Sequence, residues 1–501
     1  MKPHYLTSPT VWAIAAGCFC LTLILIPLLI RIAPRIGAVD RGGHRGVHRG
    51  RAMPLLGGLA IAIPFVAICV LGFFRVSFMF STIRHHQAGL LALAIGCMGI
   101  CALGVADDIK GLSARAKFAV QFAMASLACL AGYSIRFVDL PIYGDVWIGP
   151  AVGTALTLLW IVGLTNAYNL MDGIDGLSAG LALIAAAGLA CISLMNGSTF
   201  PALMCIALAA SLAAFLLFNF HPARIFLGDT GSMFLGFALA NITLMGSLKT
   251  TGTVMFIAPI LVMGLPIMDT LSSMLRRYLR GRPLFYGDQG HIHHRLLKKG
   301  YTQTQAVLTF YGIAAAMAVS GIVGWAAPPD SPVAWLAYAG YALAAVAVIR
   351  IAGLRPGMIA QMMAYRKHNL LLNALSQYAA MRLEDLPGDG AGRDDNVLHL
   401  LCRELNLRFL MIKDEHARRI LAYAQSGEPT RPQEPIRRIP IRNADHRMLY
   451  LTYQPDRPID EQARADVEGC LATVFEHTRC RADGEAPRHE PAPLVDIPPA
   501  A

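Results

Sequence analysis

Apolar residues dominate eleven long stretches in the first 352 positions, at about 10–31, 53–74, 88–106, 117–135, 148–168, 178–195, 200–218, 230–247, 253–275, 304–327 and 332–352. None alternates with period two, so the pattern predicts helices rather than strands. A hydrocarbon core about 30 Å thick takes roughly 20 helical residues, and each stretch meets or approaches that length. The fold class expected is an all-α polytopic membrane protein of about 11 transmembrane helices. The first run is too long for a signal-peptide core and lacks a sizeable basic segment before it.

Past residue 352 the pattern changes. Helical periodicity marks 370–381, 396–405 and 461–478, and short strand-like runs fall at 408–413, 419–424, 437–442 and 448–454. Residues 387–393 form a Gly/Pro/Asp linker. The expected organisation is a membrane-embedded domain over 1–352 and a small cytoplasmic α+β domain over 353–480, whose role is regulatory or docking or, equally, simple stabilisation. A Pro-, Ala- and charge-rich tail over 481–501 has the composition of disorder. The α+β domain is faintly similar to half of a GAF-type sensor.

Charge sharpens this division. Only 15% of residues are charged and mean hydropathy is +0.50, against about 25% charged in soluble domains. The first 352 residues hold 23 basic and 11 acidic side chains. Their basicity reads as membrane sidedness, and nucleic acid is not expected as a partner. One set of inter-span loops carries 17 Lys and Arg; the other carries only Arg75, Arg84, Arg136 and Lys249. The positive-inside rule makes the first set cytoplasmic, with the N-terminus outside and the C-terminus inside. The eight cysteines inside apolar runs, with no CxxC pair, fit core filling.

The few acids are unevenly placed. Asp139, Asp145 and Asp330 fall outside; Asp40, Asp107, Asp108, Asp172, Asp175, Asp229, Asp269 and Asp288 fall at the cytoplasmic side. Asp40 reads as a solvated loop charge. Carboxylates at apolar helix ends are costly and call for a function. Four segments carry them. Asp107 and Asp108 close the third span, followed by Arg115 and Lys117; two adjacent carboxylates repel unless a cation or proton intervenes. In the run from Asn166 to Leu177, Asn169, Asp172 and Asp175 share a face if helical. The run Phe226-Leu-Gly-Asp229-Thr-Gly-Ser232 opens the eighth span, where free N–H groups would favour an anion. Asp288 precedes His291, His293, His294 and Arg295 in a basic loop suited to a diphosphate. Each has a plainer reading: a loop pair, a helix cap, or a zinc-binding histidine cluster, though no cysteine is near. Asp269 sits near the basic end of the ninth span and is expected to partner one of its arginines.

Carboxylates, histidines and arginines beside lipid suit Mg²⁺-assisted phosphoryl transfer. A transporter is the rival class; its acids would sit nearer the bilayer midplane. The runs VADDIKGL, NAYNLMDGIDGL, FLGDTGS, PIMDTLSSMLRR and DQGHIHHRL, in this order over about residues 10–352, resemble the polyprenyl-phosphate N-acetylhexosamine-1-phosphate transferase family. The His-Ile-His-His form is similar to its UDP-GlcNAc:undecaprenyl-phosphate GlcNAc-1-phosphate transferase branch; the phospho-MurNAc-pentapeptide branch is the alternative.

The resemblance implies a transferase of the bacterial inner membrane. It would move GlcNAc-1-phosphate from a UDP-N-acetylhexosamine to undecaprenyl phosphate and release UMP, with Mg²⁺ or Mn²⁺ as cofactor. It implies catalytic roles for Asp107, Asp108 and Asp229. Asp229 would ligate the metal with Asn169. Asp175 and Phe226 would hold uracil, Asn169 and Asp172 would line the site, and His291, His293, His294 and Arg295 would contact the sugar diphosphate. Lys117 and His48 are further expected substrate contacts, although the gap from His48 to Pro54 is one residue longer than in the family. Membrane lipids and a second copy of the chain complete the expected partners.

Overall fold

The computed structural model describes residues 9–40, 53–73, 87–140, 144–247, 257–279, 291–328 and 331–353, and four strands between 407 and 455. The chain divides into two units: residues 1–278 with 282–359, and residues 279–281 with 360–501.

The first unit begins with α1 (Pro9–Ile36), the two-residue strands β1 (Val39–Asp40) and β2 (Met53–Pro54), then α2 (Gly57–Phe73), α3 (Gln87–Lys110) and α4 (Ala114–Leu130). A hairpin of β3 (Phe137–Leu140) and β4 (Gly144–Trp147) leads to α5 (Pro150–Met171), α6 (Leu177–Met195), α7 (Thr199–Asn219) and α8 (Gly228–Ser247). The unit continues with α9 (Ile257–Val262), α10 (Gly264–Leu279), α11 (Ile292–Lys298), α12 (Gln303–Ala326) and α13 (Pro332–Ile351). Seven of these, α1, α3, α5, α6, α7, α12 and α13, are long and apolar enough to cross a membrane, and α2 is a shorter apolar helix. The protein is therefore a polytopic, mostly helical membrane protein. The other predicted spans fall on α4, α8 and the α9–α10 pair, which are shorter or carry more polar residues.

Three differences from the sequence expectation have local causes. The helix expected at 117–135 starts and stops earlier, at Ala114 and Leu130, because Ser113 caps one end and a glycine ends the other. The Ser113 hydroxyl accepts from Ala116 N–H, and Gly132, at φ +88°, lets Tyr133 N–H reach back to the Ala128 carbonyl at 2.9 Å. The expected ninth span is interrupted at Met263. Pro266 has no N–H to give the Val262 carbonyl, and its ring crowds that oxygen. The membrane unit is also not wholly helical: β1–β2 and β3–β4 are antiparallel pairs that satisfy backbone groups between helices.

Helix α8 is the centre. From Met233 to Met245 its residues are all buried, and it packs on α2, α3, α5, α6 and α7. The outer helices turn apolar side chains outward instead: Ile24, Leu159, Trp335, Leu336 and Leu343 are all mostly exposed, as lipid contact allows. Lipid gives little hydrophobic drive between helices, so close backbone approach through small residues holds them together. A Cβ on Gly58 would lie 2.2 Å from Gly231 Cα, one on Gly104 2.3 Å from Thr230 Cα, and one on Gly236 2.2 Å from the Leu164 carbonyl. Three helices thus meet α8 backbone to backbone.

The second unit contains β5 (Leu407–Asp414), β6 (Arg419–Gln425), β7 (Arg437–Arg442) and β8 (Met448–Pro455). They form an antiparallel sheet in the order β6-β5-β8-β7. All four coincide with the strands expected from the sequence; the helices expected around them lie outside the described residues.

Gly104→Ala should lower the melting temperature in detergent, since overpacking costs about 1–3 kcal/mol. Gly163→Ala, where nothing lies within 4 Å, should leave it unchanged or raise it. Equal melting for both variants would refute the close-approach account.

Candidate active site

Asp107 and Asp108 end α3, and adjacent helical residues point about 100° apart. Their carboxylates consequently do different things. Asp108 faces the start of α8. Its Oδ1 accepts from Asp229 N–H at 2.9 Å, and its Oδ2 accepts from Thr230 N–H at 3.1 Å and the Thr230 hydroxyl at 2.7 Å. It caps α8 from a neighbouring helix, satisfying donors that a helix start leaves open. Gly228, at φ +71°, makes the fit, because a Cβ there would fall 2.2 Å from the Leu55 carbonyl and 2.7 Å from Asp108 Oδ2. The sequence suggested this helix start as a site for a bound anion. The structure corrects that: these amides donate to the Asp108 carboxyl group, and Gly58 and Gly104 close the space around them.

Asp107 turns the other way. Its Oδ1 accepts from Leu112 N–H at 2.6 Å, which fixes the tight turn into α4. Its Oδ2 pairs with the Lys117 ammonium, which also contacts Asp229 Oδ2 at 3.1 Å. Asp229 Oδ1 accepts from Asn169 Nδ2 at 3.0 Å, and the same amide donates to Ser232 Oγ at 3.0 Å. The ends of α3, α4, α5 and α8 thereby converge on one cation held by two carboxylates. One turn deeper, Asn166 Nδ2 donates to Gln121 Oε1 at 2.7 Å, and Gln121 Nε2 approaches Met233 Sδ at 3.3 Å. Gln121 lies four residues after Lys117, and Asn166 three before Asn169, so both tiers use the same helix faces.

Asp172 is the C-cap of α5. Buried Asp175 accepts from His221 Nδ1 at 2.9 Å and from Ala223 N–H at 3.2 Å. Asn219 braces the same turn, accepting from Gly176 N–H at 3.1 Å and donating to the Ile225 carbonyl at 2.9 Å, while the Tyr311 hydroxyl donates to the Gly176 carbonyl at 2.5 Å. Phe226 is 3% exposed and packs with Met53 and Ala223, with Leu55 alongside. Asp175 and Phe226 therefore flank Ala223 together, as packed elements of one wall.

The histidines form a third group. His291 Nδ1 lies 2.9 Å from Asp269 Oδ2. The His291 and His293 rings are nearly parallel with centroids 5.8 Å apart, and the His294 ring centroid lies 4.3 Å from that of His293. His293 rests on the turn after Asp172: a Cβ on Gly173 would meet its Nε2 at 2.1 Å. The arginine partner expected for Asp269 is replaced by His291. Buried Arg276 donates to the Ala352 carbonyl at 3.2 Å, and Arg295 lies against Gly353. His48 and Asp288 are outside the described residues. Asn219, His221, Gln121 and Tyr311 escaped the sequence reading; for Asn219 and His221 the signal was a polar pair at an apolar helix end. Among the described residues no three His, Cys, Asp or Glu side chains form a metal cluster.

Residues 90–247 match the sequence model of Glycosyl transferase family 4. A "Probable undecaprenyl-phosphate N-acetylglucosaminyl 1-phosphate transferase" of Bacillus subtilis is 38% identical over 302 residues, covering 60% of this chain and 81% of that one. A "Decaprenyl-phosphate N-acetylglucosaminephosphotransferase" of Mycobacterium tuberculosis is 34% identical over 319 residues, covering 58% and 77%. An "Undecaprenyl-phosphate alpha-N-acetylglucosaminyl 1-phosphate transferase" of Escherichia coli K12 is 28% identical over 312 residues, covering 61% and 81%. The class is thus a membrane-embedded phosphotransferase. The chain belongs to the polyprenyl-phosphate N-acetylhexosamine-1-phosphate transferase family.

Asp108→Ala should speed amide exchange at Asp229 and Thr230, because their acceptor is gone, while Asp229→Asn should leave those amides protected. Unchanged exchange in Asp108→Ala would remove the capping role.

Proposed function

We propose that the chain transfers GlcNAc-1-phosphate from UDP-GlcNAc to undecaprenyl phosphate, the first step of a membrane glycan pathway. An oxygen of the lipid phosphate attacks the β-phosphorus of the nucleotide sugar. The bond from that phosphorus to the bridging oxygen breaks, and UMP leaves. The observation that carries the reading is the Lys117 ammonium shared by Asp107 and Asp229 where four helices end. No strong base is required, since a phosphate monoester with a second pKa near 6 is largely dianionic at neutral pH.

Two carboxylates from different helices meeting at one cation suit Mg²⁺. This ion commonly takes one or two carboxylates and completes its shell with phosphate oxygens and water, so a third protein ligand is not needed. Asp229 is the more accessible, with 29% of its side chain exposed against 5% for Asp107. Asp229 would be the direct ligand, with Asn169 beside it and Asp107 supporting. When bound, the metal would screen the charge on the diphosphate.

The other roles follow from placement. Asp108 positions Asp229 by fixing the first turn of α8. Lys117 balances the carboxylates and is at hand for phosphate oxygens. Asp175 and Phe226 shape the wall for the uridine, and their burial favours support over direct stacking on the base. His291, His293, His294 and Arg295 face the sugar diphosphate, with Asp172 at the α5 end between the two groups. The loop charge bias supports an inner-membrane enzyme with its N-terminus outside and its site and C-terminal domain on the cytoplasmic side.

Purified protein given UDP-GlcNAc, undecaprenyl phosphate and Mg²⁺ should release UMP and form lipid-linked GlcNAc diphosphate; EDTA should stop turnover and added Mg²⁺ restore it. Product from UDP-MurNAc-pentapeptide alone would transfer the chain to the other branch, and no product from either donor would sink the reading. Asp229→Asn should lower kcat at least about 100-fold with unchanged melting; full activity there would remove the metal assignment.

A further inference from the structure

A buried carboxylate outside the Lys117 centre has a defined task. Asp269 lies in α10 and is fully buried. Such a group is retained only if paired and hydrogen-bonded, and both of its oxygens are engaged. Oδ1 accepts from Ile292 N–H at 3.2 Å, and Oδ2 faces His291 Nδ1 at 2.9 Å. The two contacts span 22 and 23 positions in sequence, so one side chain of α10 holds the residue that opens α11 and the first amide of that helix.

A carboxylate in its ionised form only accepts hydrogen bonds, and beside it the proton of the pair would sit on His291 Nδ1. The ring is then fixed twice, by this bond and by stacking on His293. Its remaining nitrogen, Nε2, is the atom left for substrate. We infer that Asp269 is a positioning residue of the transfer reaction: it sets the proton position and ring orientation of His291 and anchors the start of the helix carrying His293, His294 and Arg295. This rests on the sugar-diphosphate role given above to His291.

Asp269→Asn separates this role from simple packing. Asparagine caps a helix start about as well as aspartate, so its oxygen can keep the Ile292 amide. Its NH₂ group then turns toward Nδ1, which has to become an acceptor, and the proton moves to Nε2. A ring nitrogen's partner decides which nitrogen is protonated.

The test uses full-length protein labelled with ¹⁵N-histidine, the His291 resonances being identified by their loss in His291→Gln. The wild type should show a protonated Nδ1, and Asp269→Asn a deprotonated Nδ1 with a protonated Nε2, at an unchanged melting temperature. kcat/KM for UDP-GlcNAc should fall at least about 10-fold in Asp269→Asn and recover in part in Asp269→Glu. The same ¹⁵N pattern in wild type and Asp269→Asn, or unchanged kcat/KM, would overturn the inference. If Asp269→Asn does not fold, Asp269→Glu should still displace the Nδ1 resonance, and an unmoved resonance would overturn it equally. The spectra need no substrate, so a wrong choice of sugar nucleotide shows only in the wild-type assay and leaves the ¹⁵N result to stand alone.

Discussion

The arrangement depends on one contact, the Asp108 carboxylate closing the first turn of α8. It requires α3 and α8 to approach within backbone contact, which Gly104 and Gly228 permit. A buried helix start left open is expensive, because water cannot reach the free amides. Capping by Asp108 removes that cost and fixes the rotation of α8. Asp229, the next residue after Gly228, is then held facing Lys117 and Asn169. Site geometry and helix packing are here one constraint.

A second helix start follows the same pattern. The amide opening α11 is satisfied by Asp269 of α10, as the amides opening α8 are satisfied by Asp108 of α3. In both cases a carboxylate from one helix orders the first residues of another, and the groups read as functional sit within the turn so ordered. Among the described residues, the site is built from helix ends tied to each other across the bundle.

Much of this was legible in the chain. Continuous apolar runs located the helices, and the four strands of the C-terminal unit followed their alternation. Carboxylates at apolar helix ends pointed to the candidate site, because a charge in that setting is too costly to keep without a task. What the sequence could not separate was Asp107 from Asp108: identical neighbours acquire opposite tasks only when α8 is placed beside one of them. The same limit applies to Asp269, whose partner lies 22 positions further along the chain, and to Phe226, whose aromatic ring reads alike whether it stacks on a ligand or packs with Met53 and Ala223. Pro266 did carry the interruption of the ninth span, but the apolar content around it masked the break.

The occupied start of α8 also bears on turnover. An open helix terminus at the centre would attract every phosphate in the reaction alike: donor, acceptor, lipid product and UMP. Binding all species equally gains nothing in the chemical step and would hold UMP after it has left the β-phosphorus. With Asp108 seated there, attraction for phosphate is confined to groups that can be shared or moved, such as the Lys117 ammonium. The internal cap thus keeps the dipole at the start of α8 engaged within the protein, so a phosphate bound at this site would have to be held by other groups.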